Sequence, residues 1–280
     1  MEVKTSFNDS DMPPLLRIDK LVKRYDRRNL SGAREELFAL DGASFAVARG
    51  TTLAIVGESG SGKSTLAFCI SCLEQPTSGS IWFEGTDIIG LAESDRRQVR
   101  PLIQLIFQDP SNSFNPRWSV EEILLEPLAL QGKLTREGMK QRAVTLMVQV
   151  GLSPGMFGRL PAQLSGGQRQ RLAIARALAL EPKLLILDEA LSALDCSVQA
   201  QIANLLMELQ RNLGMTYLFI THDLAMAAHL ADEIAVMNRG RIVEQGPTQR
   251  VLQHPTEEIT KNLISAMPSF DSAARPPLES

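Results

Sequence analysis

The 280-residue chain lacks the basic charge of nucleic-acid binders, the long apolar runs of membrane-spanning proteins and the many cysteines of disulfide-rich proteins. Its formal net charge is −3, so it has no basic excess of the kind that marks nucleic-acid binders. No apolar run approaches the roughly 20 residues that are needed to cross a bilayer. Its three cysteines are a sparse and odd set, which is typical of a reducing compartment. We therefore expect a soluble cytosolic chain that would reach a membrane only by docking to another protein.

What the chain does contain is an alternation of strand and helix patterns. Short apolar runs at residues 53–56, 184–187 and 218–220 predict strands that are buried on both faces, and helical patterns lie between them. This alternation predicts an α/β fold with a parallel sheet. Residues 1–13 are polar, with no secretory signal, and we expect them to be disordered. Residues 26–36 are charged and contain Gly32, which predicts a loop.

Residues 57–64 fit the phosphate-loop pattern G-x-x-x-x-G-K-[ST]. Glycines let backbone N–H groups turn towards a phosphate, and the next helix directs its N-terminus at the anion. Lys63 would bring a positive charge to the β- and γ-phosphates, and Ser64 would offer a hydroxyl to Mg²⁺. The alternative is a Gly/Ser-rich surface loop, which explains neither the Lys-Ser pair nor the flanking strand and helix. The sequence therefore predicts binding of ATP.

A pair of acidic residues follows the second apolar run. Asp188 lies at the end of the predicted strand, where a carboxylate can support Mg²⁺ through water, and Glu189 can polarise an attacking water. Acids at strand ends often only face solvent, so the pair alone is a weak signal. Together with a phosphate loop on the same chain, it predicts hydrolysis of ATP.

Residues 164–168, Leu-Ser-Gly-Gly-Gln, open a predicted helix and resemble the signature motif of ABC-type ATPases. A serine and two glycines at a helix N-terminus suit an anion, and Ser165 also suits a plain N-cap. In the family, this motif meets the γ-phosphate that the partner subunit's phosphate loop holds. The resemblance thus implies a head-to-tail dimer with ATP between two chains.

The resemblance covers residues 15–268 and implies further site residues. Gln108 resembles the glutamine that touches Mg²⁺, His222 the γ-phosphate sensor, Asp195 the loop that crosses the dimer, and Tyr25 the aromatic that stacks on adenine. The implied catalytic residues are Glu189, His222 and Gln108, and the implied Mg²⁺ ligands are Ser64, Gln108 and Asp188. The implied nucleotide-binding residues are Tyr25, Gly57, Glu58, Ser59, Gly60, Ser61, Gly62, Lys63, Ser64, Thr65, Ser165, Gly166, Gly167, Gln168 and Asp195.

The family resemblance also implies the architecture. The expected fold is an ABC-type P-loop NTPase, with a RecA-like core on a mixed sheet, a small antiparallel β subdomain and an inserted α-helical subdomain. We expect the ATPase domain at residues 14–250, its helical subdomain at about 109–180, and a C-terminal extension and tail at 251–280.

Several segments narrow the resemblance to the oligopeptide, dipeptide and nickel importer branch. They are residues 107–117, 188–201 and 261–268, and the charged insert at 26–38 is similar to that of the branch's F-type subunit. The branch implies two membrane permeases, an extracytoplasmic binding protein, and a peripheral position on the cytoplasmic face of the bacterial inner membrane. The insert favours a sister ATPase of the D type as the second subunit, and an identical subunit stays open. Nucleic acid is not an expected partner. Peptide is the expected cargo; nickel, opines and sugars stay open, as does a soluble non-transport ABC ATPase.

Two segments depart from simple expectation. Residues 256–259 replace the branch's aromatic-Thr pattern, which leaves the contacts of the C-terminal extension unpredicted. Cys69 and Cys72 form a C-x-x-C pair on the helix after the phosphate loop, with no second pair and no nearby histidine. We interpret them as small apolar side chains packed on the sheet. Some members of the branch carry a cysteine-bound iron–sulfur cluster in the C-terminal region, and because no cysteine follows Cys196 we expect none in this chain.

Overall fold

The structure is a computed structural model that describes residues 13–28 and 34–267. The prediction of disorder at 1–13, the tail after residue 267 and the middle of the 26–38 insert therefore lie largely outside the described residues. The strands are β1 Leu16–Arg28, β2 Arg34–Val47, β3 Thr52–Val56, β4 Ser78–Phe83, β5 Thr86–Asp87, β6 Ile103–Ile106, β7 Leu184–Asp188, β8 Thr216–Thr221, β9 Glu233–Asn238 and β10 Arg241–Pro247.

The α-helices lie mostly between the strands of one sheet. They are α1 Lys63–Ile70, α2 Glu93–Val99, α3 Val120–Gln131, α4 Arg136–Gln149, α5 Gly166–Leu178, α6 Cys196–Leu213, α7 Leu224–Leu230, α8 Thr248–Gln253 and α9 Glu258–Ser265. Among the described residues, no helix is both long and apolar enough to span a membrane.

Two sheets organise the fold. A six-stranded sheet has the order β10-β9-β3-β8-β7-β6, in which every neighbouring pair is parallel except β10 with β9. An antiparallel sheet has the order β2-β1-β4-β5. The predicted mixed α/β architecture is confirmed, including the small antiparallel sheet and the helical insertion, where α3, α4 and α5 pack on one another.

The core lies on both faces of the six-stranded sheet. Every residue of β3, β7 and β8 is buried, as predicted for strands covered on two sides. Leu53, Ile55 and Leu218 pack towards the antiparallel sheet and α1, whereas Val56 and Phe219 pack towards α3 to α6. Because successive side chains of a strand point to opposite faces, one short apolar run serves both clusters.

The loop predicted at residues 26–36 is wrong at both ends. β1 continues to Arg28 and β2 starts at Arg34, and the register pairs Asp26 with Glu36. Arg24 Nη1 lies 2.9 Å from Glu36 Oε1. This pair of opposite charges on neighbouring strands supports the pairing of β1 with β2, which the charged sequence alone did not indicate.

The C-terminal extension is attached through a carboxylate of β10. Glu244, only 5% exposed, accepts hydrogen bonds from the backbone N–H groups of Thr256 (3.1 Å) and Glu257 (3.2 Å), just before α9. Burial opposes ionisation of this carboxyl, but its hydrogen bonds outweigh burial and hold its pKa below the usual range. The segment that departs from the branch pattern, residues 256–259, therefore contacts the core through its backbone N–H groups.

Candidate functional site

The predicted phosphate loop joins β3 to α1, as its pattern requires. Gly57 is close to β9, since a Cβ there would overlap the carbonyl oxygen of Met237. Gly62 has φ 107°, and a Cβ there would overlap the carbonyl oxygen of Ala39. Gly240 N–H, in the β9–β10 turn, donates to Ser61 O at 2.8 Å. The loop is thus fixed between β2 and the β9–β10 hairpin, and glycine is required where the two backbones meet.

Lys63 is nearly buried at the start of α1, with 5% exposure. Its ammonium donates to the carbonyl oxygens of Gly57 and Glu58, both at 2.8 Å, and lies 3.5 Å from Ser61 Oγ. Burial lowers the pKa of this ammonium, while the negative charges of Glu189 and Asp188 oppose that shift. The first turn of α1 has no side-chain cap. Its N–H groups therefore depend on partners from outside the helix, and an anion can supply them.

Asp188 ends β7 directly beside the phosphate loop. Ser64 Oγ donates to Asp188 Oδ1 at 3.3 Å, and Asp188 is 7% exposed. Burial raises the pKa of this carboxyl; the Ser64 hydrogen bond and the Lys63 charge lower it, and the Glu189 charge raises it. A hydroxyl and a buried carboxylate within hydrogen-bond distance form an oxygen donor set of the kind that Mg²⁺ prefers.

Glu189 and His222 meet at the carboxyl ends of β7 and β8. His222 Nδ1 lies 3.4 Å from Glu189 Oε1, and the His222 side chain is 57% exposed. Glu189 has φ 49°, a strained conformation for a residue with a Cβ. Its N–H donates to Ile220 O at 2.9 Å, and its carbonyl oxygen accepts from Ser192. Both neighbouring contacts hold the strained backbone in place.

Gln108 reaches the same region from the end of β6. Its Nε2 donates to Ser192 Oγ at 3.2 Å, and the Ser192 hydroxyl donates to Glu189 O at 2.8 Å. Ser192 therefore links Gln108 to the Glu189 backbone. The sequence placed Ser192 in a loop but assigned it no role, because its partner lies 84 residues away.

Tyr25 lies beside α1, and its hydroxyl interacts with Thr65 in the first turn of the helix as well as with Glu74 beyond its end. Its hydroxyl donates to Glu74 Oε2 at 2.6 Å, and Lys23 Nζ lies 5.0 Å from the ring centroid. Burial, followed by the Glu74 hydrogen bond, raises the pKa of Tyr25 to about 12. The ring is only half-buried, so part of it can stack against a planar group. Glu74 was missed by sequence reasoning, since nothing near it in the chain indicates Tyr25 as its partner.

The residues of the predicted signature contact the segment around Asp195 and not the phosphate loop of the same chain. Ser165 is the N-cap of α5: its Oγ accepts from Gln168 N at 3.3 Å, and Gln168 Oε1 accepts from Ser165 N at 3.0 Å. A Cβ on Gly167 would lie 2.6 Å from Val198 Cγ1, and one on Gly166 would lie 3.4 Å from Leu194 Cδ2. The N-cap reading of Ser165 is confirmed. Asp195 similarly caps α6 through Val198 N at 2.9 Å.

The interpretation of the C-x-x-C pair is partly confirmed. Cys69 is buried in the core, and burial raises its pKa to about 12. Cys72 is half-buried, packs on the same cluster and lies beyond the end of α1. Burial also raises the Cys72 pKa, so both thiols favour the neutral form.

Comparisons with known proteins point to a single family. A family model described as ABC transporter matches residues 40–192. The chain is 45% identical over 259 residues to the dipeptide transport ATP-binding protein DppF of Escherichia coli (strain K12), covering 92% of this chain and 78% of that one. It is 47% identical over 236 residues to the oligopeptide transport ATP-binding protein OppF of Salmonella typhimurium (strain LT2), covering 84% and 71%.

Solved structures resemble the whole fold. A dimeric post-hydrolysis state of the ATP-binding cassette MJ0796, bound to ADP and Pi, has a TM-score of 0.74 at 29% identity and covers 83% of this chain and 98% of that one. CbiO1 from Clostridium perfringens, part of the ABC transporter complex cbiONQ, has a TM-score of 0.73 at 31% identity, with 86% and 91% covered.

Proposed function

The chain belongs to the ABC transporter family, and on that premise we propose that it hydrolyses ATP to drive the import of dipeptides or oligopeptides. The convergence of Lys63, Asp188, Glu189 and His222 at one edge of the sheet carries the proposal. The peptide cargo is supported by relatives named as dipeptide, di/tripeptide and oligopeptide transport ATP-binding proteins.

The phosphate loop and Tyr25 bind ATP in this proposal. The N–H groups of residues 57–65 surround the β-phosphate, and the half-buried Tyr25 ring stacks on adenine. An ammonium has three donors, and Lys63 uses two of them on the carbonyls of Gly57 and Glu58. The third, whose contact with Ser61 is a long 3.5 Å, is the donor that Lys63 can give to a phosphate oxygen without releasing the loop.

Ser64, Asp188 and Gln108 would hold Mg²⁺. The contact between Ser64 and buried Asp188 fits this role, and Gln108 donates through Nε2, which leaves its Oε1 as the ligand atom. When bound, Mg²⁺ would supply neutralising charge to the β- and γ-phosphates.

Glu189 orients and polarises the attacking water, and His222 donates to the γ-phosphate. Their side chains lie 3.4 Å apart at the ends of adjacent strands, so both can reach one reacting centre. Ser192 ties Gln108 to the Glu189 backbone, and loss of the γ-phosphate would therefore alter contacts of Gln108 and Glu189 together.

The site is completed by a second cassette. His222, Ser165 and Asp195 are all exposed, which suits residues that face a partner subunit. A structurally similar cassette has been solved as a dimer. We propose a head-to-tail dimer with a D-type sister, in which Ser165 to Gln168 meet the γ-phosphate on the partner's loop. The dimer lies on the cytoplasmic face of the inner membrane and contacts two permeases. A binding protein delivers the cargo to these permeases. The helices within residues 109–180 transmit the closure of the dimer to the permeases.

A single substitution tests the hydrolytic role. Glu189→Gln keeps the size of the side chain and removes the carboxylate, so ATP should still bind while turnover falls roughly 1,000-fold, within the range of general-base removal. Steady-state phosphate release and equilibrium ATP binding measure the two effects. Glu208→Gln, an exposed position on α6, is the matched control and should retain full activity. Unchanged turnover in Glu189→Gln would overturn the assignment.

A second experiment tests the transport claim. The chain should co-purify from membranes with two permeases and a sister ATPase, and vesicles containing that complex and its binding protein should take up labelled dipeptide only with ATP inside the compartment that holds the ATPases. If the vesicles took up a nickel salt and not the dipeptide, the proposal that peptides are the cargo would be refuted. The proposal that ATP drives import by this complex would stand.

A further inference from the structure

A second cavity, of about 470 Å³, lies at the opposite edge of the six-stranded sheet. Lys183 and Thr216, at the amino ends of β7 and β8, line it, whereas Glu189 and His222 follow the carboxyl ends of the same strands. A five-residue strand is roughly 17 Å long, so this cleft is separate from the nucleotide site. Its volume falls within the range of small-molecule pockets.

The inner wall of the cleft is apolar. Leu15, Leu178 and Met215 line it and are themselves 1%, 4% and 4% exposed, so they form a fixed surface. Leu213, the last residue of α6, lines the cavity as well and is 46% exposed. Because the inner wall is already almost fully buried, Leu213 is the side chain that a ligand with an apolar body would remove from water, while the wall supplies van der Waals contacts.

The rim is charged and mostly cationic. Arg49, Arg142 and Lys183 line the cleft together with one carboxylate, Glu181. Arg49 and Lys183 share a single carboxylate, Glu84, at 2.9 and 2.6 Å. A guanidinium has five donors and an ammonium three, so both cations retain donors after binding Glu84. Arg142 Nη2 pairs with the exposed Glu181 at 3.3 Å, a contact that is open to competition from solvent.

Three helices end at this cleft, which limits the charge that it can accept. Gln149, Leu178 and Leu213 are the last residues of α4, α5 and α6, and all three line the cavity. Helix C-termini carry partial negative charge that offsets part of the cationic rim. The three helix ends and the carboxylates of Glu84 and Glu181 together balance the three cations, so the cleft disfavours a polyanion such as a nucleoside triphosphate. One ligand carboxylate can replace the exposed Glu181 on Arg142 without changing this balance.

We infer that this cleft binds a small molecule with one carboxylate on an apolar body. The carboxylate would bind Arg142 and Lys183, and the body would cover Leu213 and contact Leu178 and Met215. Two sources carry this chemistry: the C-terminus of a short apolar peptide, and a free aliphatic acid. The choice of a peptide as one probe rests on the proposed function; the cleft itself does not.

The test uses the full chain with ¹³C-labelled methionine methyl groups, in the absence of nucleotide. The chain has ten methionines, and Met215 reports from the cleft while the others serve as internal references. Leu-Leu dipeptide and octanoate are titrated separately, with Leu-Leu amide as the probe that lacks the carboxylate. The Met215 signal should shift with one or both acids and not with the amide. A shift with Leu-Leu alone identifies the peptide source, and a shift with octanoate alone identifies the aliphatic acid.

Two variants test the location. Arg142→Gln should weaken binding about tenfold, as expected for loss of one charge-assisted hydrogen bond. Lys140→Gln, on the same helix but paired with Glu121 at 3.0 Å, should leave the affinity unchanged. Leu213→Trp should fill the mouth and abolish binding with little change in melting temperature.

The inference is overturned if Met215 does not move at millimolar acid, if the amide shifts it equally, or if Leu213→Trp and Arg142→Gln bind normally. Because the titration contains no ATP and measures no hydrolysis, its failure would leave the proposed import function intact. Conversely, loss of that function in the Glu189→Gln or transport experiments would not affect the titration.

Discussion

Helices α1 and α5 both begin at glycine-rich segments that we assign to ATP, but they satisfy their first N–H groups differently. The N-cap of α1 is Gly62, in a left-handed conformation and without a side-chain cap. The N-cap of α5 is Ser165, which forms a reciprocal capping box with Gln168. The first helix thus needs an outside partner for its backbone, while the second supplies one from its own sequence.

This difference indicates two ways of binding one anion. At α1, the uncapped backbone N–H groups are the donors that we propose for the phosphate, and glycine is required so that β2 and β9 can approach the loop. At α5, the Ser165 oxygen accepts a hydrogen bond from Gln168 N, which leaves the hydroxyl proton to donate to a phosphate. Capping and phosphate binding by Ser165 are therefore compatible, because they use different sides of one hydroxyl.

The largest expected effect concerns the backbone of the phosphate loop. Gly62→Ala should weaken ATP binding by at least about 100-fold, because the new methyl group would overlap the Ala39 carbonyl and φ 107° adds strain of about 1–3 kcal/mol. Equilibrium binding of a fluorescent ATP analogue measures it. Gly60→Ala is the matched control, since its φ is also positive, at 80°, but open space surrounds it. Equal losses in both variants would show that strain, and not close approach, fixes the loop.

A smaller effect separates capping from phosphate binding at α5. Ser165→Ala should lower the free energy of unfolding by about 1 kcal/mol and should also lower ATP turnover by about 100-fold, the cost of removing one transition-state donor. Ser119, the N-cap of α3, forms the same kind of capping box with Glu122. Ser119→Ala should show the stability loss alone. Denaturant unfolding and phosphate release measure both variants, and equal turnover in the two would refute the phosphate role of Ser165.

The sequence predicted these two helix starts because each motif is continuous and lies at an element boundary. The spacing of the glycines, the lysine and the flanking strand can all be recognised within one short segment of sequence. The same holds for the two acids that come directly after the apolar run of β7. The N-cap at Ser165 was equally readable, since the serine and its partner Gln168 are three residues apart.

What the sequence could not predict depends on distant partners. The backbones of residues 26–28 and 34–36 pair as strands although their charges favour a loop, and the opposite charge that contacts Glu36 comes from Arg24 on the neighbouring strand. Glu74, which fixes Tyr25, is 49 residues from it, and Glu244 contacts the backbone of Thr256 only because α8, which lies between them in the chain, packs on β10. The direction of the Lys63 ammonium is likewise set by carbonyl positions that no residue pattern specifies.

The smallest expected effect compares the capping boxes of α3 and α5 as the pH changes. Hydrogen bonds from the Ser119 backbone N–H and hydroxyl lower the pKa of Glu122, while Gln168 at the corresponding position of α5 does not titrate. A carboxyl whose folded pKa lies below its unfolded value stabilises fully above the unfolded value, and this contribution is lost as the pH falls through the folded pKa. The box at α3 should therefore persist above the usual glutamate pKa of about 4.3, and it should weaken as the pH falls through the lowered pKa of Glu122. The amide chemical shifts of Ser119 and Ser165 report the two boxes in one NMR titration. The Ser119 signal should move with a midpoint below that of an ordinary glutamate, and the Ser165 signal should stay constant. A Ser165 amide that titrated in the same way would mean that a carboxylate, and not Gln168, completes the cap of α5.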